Sequence, residues 1–343
     1  MRSCAELLCL KAVSLLLLAA CSTPESNPDD SVAGSGGSGS PLAGSGGMAQ
    51  APCAGTSAVA GSDGGLAGSA GAGGATAGGA AGAAGQGGSG GGGPLPPKPS
   101  TGCNKTTPET LQQFTKHSLM SGGTSRDFYT YLPGNYDSAR AYPTVFAFHP
   151  CGGSGNPGSN VPIQNASGDD AIIVAPQSAG RCYENQIRSS PELPFFDDTL
   201  KYAKENYCVD ENRVFAIGHS AGSWMAIILG CERGDVLRAH AQVSGGLPIF
   251  VKPSDCRGKV ASLYLHDSGD ATNNIIGGYA GRDRSLRFNG CSDTKLPWDP
   301  APCQEYQGCK PGYPVVFCET TGQGHGRQDG LAPDAFWKFF SQF

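Results

Sequence analysis

A serine between two glycines is the first group in this chain that could do chemistry. Residues 218–222 read Gly-His-Ser-Ala-Gly, with a short apolar run at 214–217 before them and a longer one at 223–229 after them. The first run predicts a buried strand and the second a helix. A sharp strand-to-helix turn strains the backbone at the serine and leaves no room for side chains two positions away. Ser220 is therefore a candidate nucleophile for a carbonyl carbon; the alternative is a glycine-rich turn with an idle serine.

A serine hydroxyl is a weak nucleophile unless a base takes its proton, so a histidine must lie beside it in the fold. The chain has six histidines. His325 stands in the glycine-rich segment 323–326, between the last predicted strand and the last predicted helix. Catalytic side chains collect in loops at the carboxyl ends of parallel strands. His325 is the predicted base, and a structural turn histidine is the alternative.

The base in turn needs a carboxylate to orient it. Asp267 and Asp270 both follow the predicted strand 262–266 and both qualify by position. Asp267 could instead cap a turn, which is the usual role of an aspartate in such a place. With either residue the chain order is serine, aspartate, histidine, which is the order found in α/β-hydrolases.

The oxyanion formed by attack on a carbonyl needs two N–H donors. Ala221 follows the serine directly, at a predicted helix N-terminus whose dipole favours negative charge. The second donor should come from the glycine-rich loop after the predicted strand 144–148. Pro150 has no N–H, so Cys151 is the predicted donor, with Gly152 as the second choice. A plain glycine turn is the alternative for this loop.

Short apolar strands alternate with helical segments in the last 240 or so residues. This alternation predicts a mostly parallel sheet with helices on both faces, an α/β fold in one domain. The predicted strands are 128–132, 144–148, 171–175, 214–217, 239–243, 262–266 and 314–317, and the predicted helices are 196–206, 223–229 and 334–343.

The chain preceding this domain is of another kind. Residues 1–21 combine early basic residues with an apolar run too short to span a bilayer, which is typical of a signal peptide. Leu-Ala-Ala-Cys at 18–21 has the form of a lipobox, which would make Cys21 the lipidated mature N-terminus; an ordinary secretory signal is the alternative. Residues 22–101 are mostly Gly, Ala and Ser, with few charged and no aromatic residues, which predicts a disordered linker. The catalytic domain is predicted at 102–343.

Charge and cysteine content narrow the function further. A net charge of −5 argues against a nucleic acid partner. Fourteen cysteines, less the four before residue 102, leave ten in the domain. An even, dense set in an exported protein predicts up to five disulfides. Sequence does not fix their connectivity, although Cys303 and Cys309 are close enough to close a local loop. No clustered zinc pattern accompanies the cysteines, and neither metal nor cofactor is expected.

Several segments, taken in order, resemble the esterase family that contains feruloyl esterases, polyhydroxybutyrate depolymerases and acetylxylan esterases. They are 148–154 (Phe-His-Pro-Cys-Gly-Gly-Ser), 208–215 (Cys-Val-Asp-x-x-Arg-Val-Phe), 218–222 (Gly-His-Ser-Ala-Gly), 266–270 (His-x-x-x-Asp) and 324–325 (Gly-His). The resemblance covers nearly all of 103–343 and implies an α/β-hydrolase fold. It also implies that Ser220 is the nucleophile, Asp270 the acid, His325 the base and the Cys151 amide an oxyanion donor.

A long segment between the proposed acid and base bears on the substrate. Residues 271–313 hold four aromatics before their final tyrosine, namely Tyr279, Phe288, Trp298 and Tyr306, and three cysteines that could staple them. Such an insertion could overhang the site and offer an aromatic wall to a flat phenolic acyl group. Trp298 and His219 are the predicted substrate-binding residues. The alternative is that the aromatics pack the insertion's own core.

These observations together predict an exported, surface-anchored serine carboxylesterase. We expect hydroxycinnamoyl esters of plant-wall xylan as substrates, with acetylxylan or polyhydroxybutyrate as alternatives and a non-catalytic binding module as the alternative of another class. The expected partners are a polysaccharide ester or polyester and, through Cys21, a membrane. We expect a monomer.

Overall fold

The computed structural model of the chain describes residues 94–183, 190–246, 256 and 258–343. The predicted signal segment with Cys21, and the predicted linker as far as residue 93, lie outside these residues. In the described ranges no helix is long and apolar enough to cross a membrane.

The predicted linker boundary at residue 101 falls in the described part of the chain. There Ser100 donates its N–H to the Val209 carbonyl at 2.9 Å, and Pro99 forms a β-bridge with Asp210. Contacts with the domain therefore begin a few residues before the predicted boundary.

One ten-stranded sheet forms the centre of the domain, in the order β1-β2-β4-β3-β5-β6-β7-β10-β9-β8. The six neighbours from β4 to β10 run parallel, and antiparallel strands flank them at both edges. The strands are β1 Phe114–Ser121, β2 Thr124–Tyr131, β3 Tyr142–Phe148, β4 Ile172–Pro176, β5 Val209–His219, β6 Ala239–Val243, β7 Ala261–Asp267, β8 Lys295–Pro297, β9 Cys303–Tyr306 and β10 Val315–Thr320.

Helices cover both faces of this sheet, which confirms the predicted α/β-hydrolase architecture. They are α1 Gln164–Ser167, α2 Glu192–Asn206, α3 Ala221–Glu232, α4 Ile275–Asn289 and α5 Ala332–Phe340, with a 3₁₀ turn at Pro157–Ser159. Successive side chains of a strand point to opposite faces. Phe146 of β3 accordingly packs with residues of α2 and α3, whereas its neighbour Val145 packs with residues of α5. Such strands are apolar on both faces, as their continuous apolar runs predicted.

All seven predicted strands fall on observed ones, but five strands and α-helices were not predicted: β1, β8, β9, α1 and α4. Helix α4 contains three glycines in its first two turns, which normally count against a helix. Two of them are needed for close packing. A Cβ on Gly278 would lie 2.6 Å from His266 Nδ1, and one on Gly281 would lie 2.7 Å from Tyr264 Cε1. The glycines let α4 lie directly against β7.

Five disulfides link all ten cysteines of the domain, as the even count predicted. They are Cys103–Cys208, Cys151–Cys182, Cys231–Cys256, Cys291–Cys309 and Cys303–Cys318. The suggested pairing of Cys303 with Cys309 is wrong. Strand β9 runs antiparallel to β10 and places Cys303 directly opposite Cys318, so the bridge forms across the sheet.

The segment 271–313 does not stand apart from the domain as an overhanging wall. Its first half is α4, and its second half adds β8 and β9 to the edge of the sheet. Tyr279 lies 5.4 Å from the Phe317 ring, and Tyr306 is buried in the cluster between α4 and β10. These two aromatics pack against the central sheet, so the segment forms neither an overhanging wall nor a separate core of its own.

Candidate active site

The turn between β5 and α3 has the strained geometry that its glycines predicted. Ser220, the residue between strand and helix, has φ 56° and ψ −117°. A Cβ on Gly218 would lie 2.1 Å from the Gly222 carbonyl carbon, and a Cβ on Gly222 would lie 2.0 Å from the Phe148 carbonyl oxygen. Since no side chain fits at such distances, both positions require glycine. The turn holds Ser220 at the carboxyl edge of the sheet.

A continuous line of hydrogen bonds joins three of the predicted site residues. The Ser220 hydroxyl donates to His325 Nε2 at 2.9 Å. His325 Nδ1–H donates to Asp270 Oδ2 at 2.8 Å. The serine follows β5, the aspartate follows β7 and the histidine follows β10. His325 is 105 positions from Ser220 and 55 positions from Asp270 in the chain. In this arrangement the imidazole can take the hydroxyl proton while the carboxylate stabilises the resulting imidazolium.

Asp270 is held as an ionised acceptor. Its other oxygen, Oδ1, accepts the N–H groups of Thr272 and Asn273, both at 2.9 Å. Burial raises the pKa of the Asp270 carboxyl, but the bonds from His325 and from these two amides outweigh it, so that the net pKa lies below its ordinary value. The Asp270 carboxylate is therefore charged near pH 7 and can accept the Nδ1–H of His325.

Asp267, the second candidate acid, lies in the same turn but faces a different group. Its Oδ2 accepts the Gln323 N–H at 2.8 Å and the Thr320 hydroxyl at 3.1 Å. Burial raises the pKa of Asp267, and the backbone N–H bonds, led by that of Gln323, bring it below the ordinary value. This carboxylate fastens the start of the loop that carries His325; it does not contact the imidazole.

Three further residues support the loop that carries His325, two directly and one through its neighbour. Of these three, the sequence pointed only to His219. His219 donates from Nε2 to the His325 carbonyl at 3.3 Å. Burial, and next the nearby charge of His325, lower the pKa of His219 to about 4, so it remains neutral near pH 7. Ser244 donates its hydroxyl to the Gly326 carbonyl at 3.0 Å, and Asn273 donates to the Ser244 carbonyl at 2.8 Å. Sequence suggested His219 as a substrate contact; its observed partner is the loop backbone.

The two predicted oxyanion donors lie on either side of a tight contact. Ala221 is the first residue of α3, so its N–H has no acceptor within the helix. Gly222 packs against the Phe148 and His149 carbonyls, which brings the loop after β3 to the elbow. In that loop the Gly152 N–H donates to the Arg181 carbonyl at 2.7 Å. That bond removes the second-choice donor and leaves the Cys151 amide as the candidate.

Trp298 is not brought to this site. Its ring packs 6.3 Å from that of Phe339 in α5, and the Lys338 ammonium lies 5.7 Å from it. Helix α5 leads away from the His325 loop, and Phe340 near its end stacks on Phe215 at 4.3 Å. The indole thus joins β8 to the distal half of α5, and its contacts give no support to a substrate-binding role.

Two curated proteins are similar to the chain over most of their own length. Feruloyl esterase D of Neurospora crassa is 31% identical over 272 residues, a match that covers 71% of this chain and 91% of the relative. The chain belongs to the feruloyl esterase family. Feruloyl esterase C of Emericella nidulans is 29% identical over 262 residues, or 70% of this chain and 90% of the relative. The predicted resemblance to feruloyl esterases is confirmed, and this feruloyl esterase homologue is a serine ester hydrolase.

Solved structures agree with the fold of this family member. An acetyl xylan esterase from Aspergillus awamori matches with a TM-score of 0.55 and 16% identity, covering 67% of this chain and all of that one. A CE1 ferulic acid esterase from Anaeromyces mucronatus, in complex with ferulic acid, matches with a TM-score of 0.51 and 14% identity, covering 72% and 96%. No family model matches the chain. Among the described residues, no group of three His, Cys, Asp or Glu side chains could hold a metal ion.

Proposed function

We propose that this family member hydrolyses hydroxycinnamoyl esters on plant-wall xylan, with Ser220 as nucleophile, His325 as base and Asp270 as the orienting acid. The observation that carries the proposal is the hydrogen-bonded line from the Ser220 hydroxyl through His325 to Asp270. The acyl class comes from the 31% identical relative, which is a feruloyl esterase.

The proposed reaction has two halves. In the first, Ser220 Oγ attacks the ester carbonyl as His325 Nε2 takes its proton, and the amides of Ala221 and Cys151 stabilise the oxyanion. His325 then returns the proton to the sugar oxygen, which leaves as an alcohol. In the second half, His325 takes a proton from water, the hydroxide attacks the acyl-enzyme, and the proton is returned to Ser220 Oγ. The acid is released and the enzyme is regenerated.

The substrate claim is tested by kcat/KM values for methyl ferulate, acetylated xylan and hydroxybutyrate oligomers. We expect methyl ferulate to give the highest value, and a Ser220→Ala variant to provide the blank for each substrate. A higher kcat/KM for acetylated xylan or for hydroxybutyrate oligomers would contradict the proposed hydroxycinnamoyl substrate. The proposed serine esterase mechanism would be unaffected. Binding of xylan without turnover of any ester would instead favour the non-catalytic module.

The site of action is the second part of the proposal. The five disulfides of the domain are the kind of framework that persists in an oxidising compartment. Together with the predicted lipobox, they support export followed by anchoring through Cys21. The predicted linker would then separate the catalytic domain from the membrane.

The anchor is tested with the full-length chain produced in an exporting bacterial host. Acyl chains on Cys21 contribute about 0.8 kcal/mol per buried CH₂, so wild-type protein should enter the detergent phase of a detergent–water separation. Cys21→Ser should shift the protein to the aqueous phase, and Cys53→Ser, a cysteine outside the lipobox, should not. Wild-type protein found in the aqueous phase would contradict the anchor and leave the esterase assignment untouched.

A further inference from the structure

A disulfide lies at one of the two proposed oxyanion donors. Cys151 is bonded to Cys182, 31 positions along the chain. Among the ten bridged cysteines in the described part of the chain, Cys151 is the most exposed, and its partner Cys182 is half-buried. The bridge connects the loop after β3 to residues 177–183, a loop that follows β4.

Three hydrogen bonds accompany the bridge and hold the same two loops together. The Gly152 N–H donates to the Arg181 carbonyl at 2.7 Å. The Ser178 N–H donates to His149 Nε2 at 3.2 Å. The Gly155 N–H donates to the side-chain oxygen of Gln177 at 2.9 Å. These bonds lie on both sides of Cys151 in the chain. The loop after β4 therefore holds the loop that contains Cys151.

The loop after β4 is itself fixed by a buried ion pair. Glu192, which is 2% exposed, accepts the Ala179 N–H at 2.8 Å and pairs with Arg126 at 2.7 Å. Arg126 also donates to the Gln177 carbonyl at 2.9 Å, and its guanidinium lies 4.1 Å from the centre of the Phe195 ring. The loop is therefore attached to β2 and α2, and the disulfide joins Cys151 to it.

We propose that the Cys151–Cys182 bridge is a positioning element of the reaction, which holds the Cys151 amide where the oxyanion forms. This inference rests on the proposed esterase function. Two glycines follow Cys151, and glycine backbones are freer than those of other residues, so the bridge adds a restraint at Cys151 itself to the hydrogen bonds of its neighbours. An oxyanion donor acts only within about 2.7–3.1 Å of the developing charge. Without the bridge, kcat should fall while binding of the ground-state ester, and with it KM, should change little.

The test compares two double variants of the whole chain. Cys151→Ala/Cys182→Ala keeps the Cys151 backbone N–H and removes the bridge. Cys291→Ala/Cys309→Ala, the matched control, removes a bridge between the end of α4 and the segment after β9. We expect kcat for methyl ferulate to fall about 10- to 100-fold in the first variant, less than the 10²–10³-fold for a deleted donor. The control should keep wild-type kcat, and KM should change little in both variants.

A second measurement covers the case in which the first variant does not fold. Mild dithiothreitol treatment of the folded wild-type protein transfers two electrons and two protons to the Cys151–Cys182 bridge. Two thiols form, and the reagent becomes its cyclic disulfide. Alkylation followed by mass spectrometry of parallel samples identifies the opened bridge. We expect kcat to fall as Cys151 and Cys182 become labelled and to recover on reoxidation. The reduced protein should keep its melting transition.

Unchanged kcat in protein whose Cys151–Cys182 bridge is open would overturn the inference. So would equal losses in both double variants, because a general loss of stability would then explain them. A wild-type protein with no esterase activity at all would contradict the proposed function instead.

Discussion

Replacing Ser220 by alanine is expected to lower kcat for methyl ferulate by about 10⁶-fold, and replacing His325 by alanine should cost about as much. The two residues act as one unit, because the hydroxyl attacks only when the imidazole takes its proton. The double variant should therefore be little worse than either single one. The activity left in each variant would come from oxyanion stabilisation and binding.

The measurement is a kcat determination on purified protein, with the melting temperature of each variant as a check on folding. Ser118→Ala is the matched control. Ser118 is also a serine whose hydroxyl hydrogen-bonds to another side chain, Asp127 at 2.6 Å, but it lies in the edge strand β1. The control should keep wild-type kcat. Near-wild-type kcat in either Ser220→Ala or His325→Ala would remove that residue from the mechanism.

Asp270→Asn is expected to lower kcat by about 10⁴-fold, the size of loss seen when a triad carboxylate becomes an amide. An amide at this position can donate to His325 Nδ1, which would hold the imidazole in the wrong tautomer and abolish proton transfer from Ser220. The Thr272 and Asn273 amides would still have an oxygen to bond, so the turn should keep its shape.

Asp267→Asn is the natural comparison, since both aspartates lie in one turn and both have a lowered pKa. It should lower kcat far less than Asp270→Asn, because Asp267 bonds the backbone of Gln323 and not the imidazole. A larger loss for Asp267→Asn would move the acid to that position.

Stability against pH gives a second readout for the same pair. A carboxyl whose pKa is lower in the folded state contributes stability that is fully present above its unfolded pKa, near 3.9. That contribution is lost as the pH falls through the folded pKa. Denaturant unfolding of the wild type should therefore show stability falling below about pH 4. Asp267→Asn and Asp270→Asn should each flatten this fall and be less stable at pH 7.

The elbow and its partners could be predicted because local rules and chemistry agree there. Each of its features can be recognised within one short stretch of sequence. These features are a buried apolar strand, two glycines that steric contacts require, and a histidine in a glycine-rich loop. Asp267 and Asp270 both met the positional rule, and the choice between them depended on a resemblance. In the structure the choice follows from which carboxylate faces His325 and which faces the Gln323 amide.

The features that could not be predicted depend on contacts between distant segments. Helix α4 was missed because glycines that pack it against His266 and Tyr264 look like helix breakers when read alone. Trp298 was read as a substrate wall because nothing in the sequence states that Phe339 lies beneath it. The ion pair of Arg126 with Glu192 joins residues 66 positions apart and leaves no local pattern.

The pairing of β7 with β10 sets the distance between acid and base. These neighbouring parallel strands place Thr320 directly opposite Asp267, so both loops leave the sheet at the same height. The chain between Asp270 and His325 detours through α4, β8 and β9, but the length of that detour does not enter the spacing of the two side chains. The sheet register therefore sets this spacing, and the loops that join α4, β8 and β9 can differ in length without moving the catalytic pair.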